Sequence, residues 1–168
     1  MSPSSLSLAR GPLQIIQIGL RSLVVPVFTL LLAACVSPTR RQVVNPPGIS
    51  PLVPAYSVAI RHGDMVFVSG MTGIKPGTQD IVDGDVVVQT RQTLENIRTS
   101  LQTAGATMAD IGECTVFLVD MADYAAMNGA YLEYFRADPP ARATLAVSAL
   151  PRPAARVEIK CSAVIARR

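Results

Sequence analysis

The run Met65-Val66-Phe67-Val68-Ser69-Gly70 decides how this chain folds. Side chains alternate across a strand, so Met65 and Phe67 point to one face and Val66 and Val68 to the other. A strand apolar on both faces must be covered on both, and Gly70 breaks the run. Upstream, residues 56–60 read as a partner strand, joined through the turn Arg61-His62-Gly63-Asp64, where Gly63 supplies any positive φ. Downstream, Asp85 can cap a helix whose stripe is Val87, Thr90, Leu94, Ile97, Leu101 and Ala104, with Gly105 just past its end. Residues 114–119 read as a third strand. Asp120 or Asp123 can start a second helix with Tyr124, Met127, Tyr131 and Tyr134 or Phe135 on one stripe, and Pro139-Pro140 ends it. Residues 143–150 and 156–165 are the last two strands. The order β-β-α-β-α-β-β gives an α+β sandwich with both helices on one face of a mixed sheet. Two helices cover only that face, so the other calls for a second copy of the sheet and a homo-oligomer.

The 168 residues suffice for one domain with a core, and with no Trp that core is aliphatic. The net charge of +3 is small, and no basic run or aromatic-interleaved patch suits a nucleic acid. Residues 1–34 carry Arg10 and Arg21 and no acid, so the remainder is nearly neutral.

Residues 23–34 are apolar except for Thr29, too short to span a bilayer and suited to the h-region of a secretory signal. The run ends in Leu32-Ala33-Ala34-Cys35, which resembles a bacterial lipobox, with Cys35 as the lipidated residue. Residues 1–34 are thus expected to be a lipoprotein signal peptide, and 35–54, with Pro38, Pro46, Pro47, Pro51 and Pro54, a lipidated cysteine and extended tether. Residues 55–168 are expected to form the domain. The expected place is the bacterial envelope, membrane-anchored through the lipid; with no Asp second in the mature chain, the outer membrane is favoured in a Gram-negative cell. A plain cleaved signal, an uncleaved anchor, or a start codon placed upstream of a cytoplasmic protein are the alternatives.

Two residues near the end suggest chemistry. Arg142 follows Pro139-Pro140-Ala141 at the mouth of a strand and offers a planar fork of donors for a carboxylate. Glu158, early in the last strand, can move protons or steer a water. A surface arginine after a turn and a solvated strand glutamate would look the same on sequence alone. His62, in a turn, reads as solvated, and a single histidine with two further cysteines makes no zinc set. Cys114 and Cys161 fall in strands, either as buried thiols or, in an oxidising envelope, as a disulfide.

Seven segments, in order and spacing, carry a resemblance. They are Val66-Phe67-Val68-Ser69-Gly70, Gln92-Thr93-Leu94-Glu95-Asn96-Ile97, Val116-Phe117-Leu118-Val119-Asp120-Met121, residues 128–135, Pro140-Ala141-Arg142-Ala143, Leu150-Pro151 and Val157-Glu158-Ile159. Over roughly residues 50–168 the chain resembles the RidA/YjgF-like family of imine/enamine deaminases. The resemblance implies a chorismate-mutase-like homotrimer whose sheets line a central barrel, with sites in clefts between subunits. It implies hydrolysis of 2-imino or enamine acids, of the 2-aminoacrylate or 2-iminobutyrate type, to 2-keto acids and ammonia, without metal or organic cofactor. It makes Arg142 the carboxylate clamp and Glu158 the group that orients or activates water, with Tyr56, Ser69 and Asn128 lining the cleft. A non-catalytic envelope module that binds small carboxylates on the same trimer is the alternative. The chain departs from the family pattern at Met71, at Thr144, and in a segment before Val157 that is one residue longer; Lys160 also shares a strand face with Glu158.

Overall fold

A computed structural model describes residues 40–166. The expected leader, residues 1–34, and Cys35 lie outside the described residues. These form one six-stranded sheet in the order β1-β2-β3-β6-β4-β5, with two α-helices. The strands are β1 (Arg41–Val44), β2 (Ala59–His62), β3 (Met65–Thr72), β4 (Ile111–Leu118), β5 (Ala141–Ala146) and β6 (Val157–Val164); the helices are α1 (Val86–Thr103) and α2 (Tyr124–Leu132). From β2 onward the order is β-β-α-β-α-β-β, an α+β fold in which only β4 and β5 run parallel. No described helix is long and apolar enough to cross a membrane.

The alternation anticipated in β3 fixes the layers. Val66 and Val68 are buried under the helices, together with Val116 and Leu118 of β4 and Val157, Ile159 and Cys161 of β6. On the opposite face Met65, Phe67, Leu145 and Val164 are 42–56% exposed. One protomer therefore leaves an apolar sheet face bare.

The local signals act where the residues place them. Gly63 has φ +62° in the β2–β3 turn. Asp85 caps α1, its carboxylate accepting from the backbone N–H of Val87 and Val88 at 3.0 and 3.1 Å. Gly105, at φ +82°, closes α1 as Ala106 N–H reaches Leu101 O at 2.8 Å. The first buried valine of α1 is Val86 rather than Val87, which is half-buried. The open choice at the second helix resolves into two roles. Asp120 caps a 3-10 turn over Met121–Asp123, and Asp123 pairs with Arg156 at 2.9 Å. The strand expected over 143–150 is shifted to Ala141–Ala146, and the Pro151- and Pro153-containing segment after it is a loop.

β1 lies inside the stretch read as a tether. It pairs antiparallel with β2, Val44 opposite Ala59, and both Val44 and Ile49 are buried. A four-residue strand with one inward valine gives too little periodicity to read beforehand. Cys114 and Cys161, directly opposed on β4 and β6, form a disulfide with Cα atoms 4.1 Å apart.

Candidate functional site

The expected site residues fall into two groups on opposite faces of the sheet. Arg142 on β5 is in register with Cys114, a buried residue of the helix-covered face, and so points to that side. Its guanidinium carbon stands 4.6 Å from the centre of the Tyr131 ring on α2, a cation–π contact. Asn128 and Tyr124, also on α2, complete the group: a hydrogen bond with Asn128 and the charge of Arg142 draw the Tyr124 phenol below its ordinary pKa. Tyr131 is buried, and that burial, opposed by the charge of Arg142, pushes its phenol up to about 12. Its hydroxyl has no hydrogen-bond partner among the described residues, and neither does Thr144 Oγ1 two residues beyond Arg142. No carboxylate pairs with Arg142 among the described residues.

Glu158 alternates with buried Val157 and Ile159 and so faces the other side, opposite Thr72 of β3 and Phe117 of β4. It lines a cavity of about 420 Å³ with Tyr56, Ser69, Gly70, Thr72 and Arg152, walled on its apolar side by Leu52, Val53 and Pro151. Burial raises the Glu158 carboxyl above its ordinary pKa. No described residue donates a hydrogen bond to it, and Lys160 makes no ion pair with it. A register shift between Val68 and Met71 turns Ser69 and Gly70 toward this cavity. Ser69 is held there, its Oγ donating to Ser57 O at 2.7 Å, and the Tyr56 hydroxyl accepts from Leu52 N–H at 2.8 Å.

The structure thus brings Tyr56, Ser69 and Glu158 together, and separately Asn128 and Arg142. It does not unite the two groups within one chain. Sequence reasoning missed three positioning amides and an arginine. Asn96, buried on α1, donates to Thr72 O and Ile74 O at 3.0 Å and so ties the end of β3 to the helix. Gln92 Nε2 donates to Asn96 Oδ1 at 3.0 Å. Gln89, also buried, donates to Ala154 O at 3.0 Å and accepts from Arg156 N–H at 2.8 Å, fixing the loop before β6. Their one signal was polar residues flanking the apolar stripe of α1. Arg152 is the fourth residue missed; it lay in the segment noted as longer.

Comparison with known proteins agrees with this architecture. The chain is 47% identical over 97 residues to a RutC family protein of Pyrococcus horikoshii, covering 58% of this chain and 77% of that one. It is 36% identical over 124 residues to the 2-iminobutanoate/2-iminopropanoate deaminase of Mus musculus, covering 74% and 91%. The crystal structure of RidA from an Antarctic Psychrobacter superposes with a TM-score of 0.69 at 31% identity, covering 74% of this chain and 99% of that one. The endoribonuclease L-PSP family matches residues 49–165, and the chain belongs to that family, the RidA/YjgF group of proteins.

Proposed function

We propose that the chain hydrolyses small 2-imino acids or their enamine tautomers, of the 2-aminoacrylate and 2-iminobutyrate type, to 2-keto acids and ammonia. The site is completed by a second copy of the chain in a homotrimer. One observation carries this reading: Arg142 and Glu158, each without a counter-ion among the described residues, lie on opposite faces of the same sheet. Half a site on each face, beside a bare apolar sheet, is what a cleft between copies requires.

The chemistry follows from the groups. Arg142 grips the substrate carboxylate through two parallel N–H donors. A water adds its oxygen to the imine carbon while the C=N electron pair moves to nitrogen. Glu158 takes a proton from that water and passes it to the nitrogen, giving a carbinolamine. It then takes the remaining hydroxyl proton and passes that to the amine, so that the C–N bond breaks, ammonia leaves and the C=O forms. Burial raises the Glu158 carboxyl above its ordinary pKa, which favours its holding and returning a proton. Ser69 and Tyr56 lie within the same cleft to hold the water or the nitrogen. The mouse relative's name supports the substrate class. The family's descriptive name refers to RNA cleavage, yet the small net charge supplies no basic stripe to follow a phosphate backbone.

The proposed place is the bacterial envelope, with lipid on Cys35. The Cys114–Cys161 disulfide supports an oxidising compartment. Fatty-acid labelling that persists in Cys35→Ala would overturn the anchor. The activity is tested by generating 2-iminobutyrate in solution and following keto-acid release by the wild type and by Arg142→Ala. Loss in the variant is expected. Carboxylate binding that depends on Arg142, with no turnover by the wild type, would make the protein a binding module instead.

A further inference from the structure

The loop between β5 and β6 puts a second arginine at the cleft that holds Glu158. Arg152, half-buried, is the one cation among the described residues that line the cavity. Its position is fixed from two sides. Nη1 donates to the carbonyl oxygen of Gln79 at 2.5 Å and Nη2 to Gln79 Oε1 at 2.6 Å. Gln89 holds the same loop through Ala154 and Arg156. Those two bonds use two of the guanidinium's five N–H groups, and both acceptors are neutral. No carboxylate pairs with Arg152 among the described residues. A preorganised, uncompensated cation with donors to spare, beside a cavity of about 420 Å³, is a receptor for an anion.

We infer that Arg152 is a specificity-determining residue that binds a second, distal carboxylate, so that the ligands favoured by this cleft are dicarboxylic 2-imino acids such as 2-iminosuccinate. The inference rests on the hydrolase reading in one respect: Arg142 of a second copy holds the carboxylate next to the imine, leaving Arg152 for the far end. A monocarboxylic substrate would leave the Arg152 charge without an ion partner. A dicarboxylic one engages both guanidinium groups and spans the cleft between them.

The test uses the full chain with two readouts. Turnover of 2-iminosuccinate and 2-iminobutyrate, generated in place by oxidising aspartate and 2-aminobutyrate, gives a ratio of kcat/KM values. Calorimetry with succinate and butanoate gives a ratio of Kd values. The wild type is expected to favour the dicarboxylic ligand in both by about 10- to 100-fold, the worth of a charge-assisted bond. Arg152→Gln is expected to collapse both ratios, and Arg152→Lys, which keeps the charge, to restore part of each. Equal handling of the two ligands by the wild type, or a preference that survives Arg152→Gln, overturns the inference. The arms also separate it from the reading beneath it. An Arg152-dependent preference for succinate with no turnover of either imine sustains the anion site and removes the hydrolase. Turnover of 2-iminobutyrate with no Arg152-dependent preference does the reverse.

Discussion

The carboxyl group of Glu158 occupies the space that a side chain at position 70 would need. A β-carbon on Gly70 would come 2.7 Å from Glu158 Cδ and 3.2 Å from its Cγ. Gly70 is not among the residues of positive φ, so glycine there answers to space and not to backbone conformation. The last strand's carboxylate lies against the bare backbone of β3 beside its register shift.

Gly70→Ala should therefore fold and still damage the site. The clashing atoms are the far end of a flexible side chain, which can swing aside. Misplacing a reacting group by an ångström costs about 10²-fold in rate, which is the expected loss on 2-iminobutyrate. The melting temperature should move by only a few degrees, the shift expected for about 1 kcal/mol in a domain of this size. Full activity in this variant would contradict the role given to Glu158.

The raised pKa of Glu158 makes a pH prediction with a definite sign. Its folded-state pKa lies above its unfolded value, so its contribution favours the fold at low pH and is lost as pH rises through the folded pKa. Glu158→Gln removes that penalty. The variant should match the wild type in thermal stability below the ordinary glutamate pKa of about 4.3, exceed it increasingly as pH rises toward the folded-state pKa, and keep a constant advantage above it. A difference that is constant across the whole pH range would show that desolvation is not what holds the carboxyl up. Turnover should fall in the same variant, which separates stability from catalysis.

Arg142→Ala should lose about 2–5 kcal/mol of carboxylate recognition, or roughly 30- to several-thousand-fold in turnover, and Arg142→Lys should recover little of it. The opposite faces occupied by Arg142 and Glu158 add a sharper test. Arg142→Ala and Glu158→Gln chains, unfolded together and refolded as a mixture, should regain activity that neither has alone. In a random mixture of equal parts, roughly a quarter of the inter-chain sites draw both intact residues. A mixture no more active than its parts would place the site within one chain.

Removing the Cys114–Cys161 bond should destabilise the fold by about 2–4 kcal/mol, since it closes a long loop in the unfolded chain. The double variant Cys114→Ala/Cys161→Ala, compared with the wild type by denaturant unfolding without reductant, measures this. Both sulfurs are buried, so reductant alone should act on the wild type only once it unfolds. Identical denaturation midpoints for the two proteins would mean that the cysteines remain thiols.

The periodic elements were legible in the sequence because burial and period coincide there. Val66 and Val68 face the core and Met65 and Phe67 do not, as alternation dictates; Leu94, Ile97 and Leu101 lie on the buried face of α1. Asp85 and Gly105 announced the ends of that helix through capping chemistry that needs no tertiary context. What remained illegible depends on pairing between distant segments. Flanking the apolar stripe of α1 does not by itself separate Gln89 or Asn96 from solvent-facing amides; they are buried because Ala154, Arg156, Thr72 and Ile74 arrive from elsewhere in the chain. Arg142 and Glu158 could be singled out by type and place. Their assignment to opposite faces required the β4–β5 and β4–β6 registers, which no periodicity in either strand encodes.

The short strand β1 also bears on how the protein stays apart from itself. A sheet edge invites other strands, and β2 would be such an edge if residues 41–44 were not laid along it. The substitute edge is a poor template: four residues long, entered through Arg40 and Arg41 and left through Pro46 and Pro47, which have no N–H to offer a newcomer. A chain shortened to begin at residue 55 would keep every element of the expected β-β-α-β-α-β-β order. It would also bare the β2 edge and the apolar surface under Val44 and Ile49, and it should grow sheet-to-sheet assemblies more readily than the longer chain, which light scattering on the two proteins would measure.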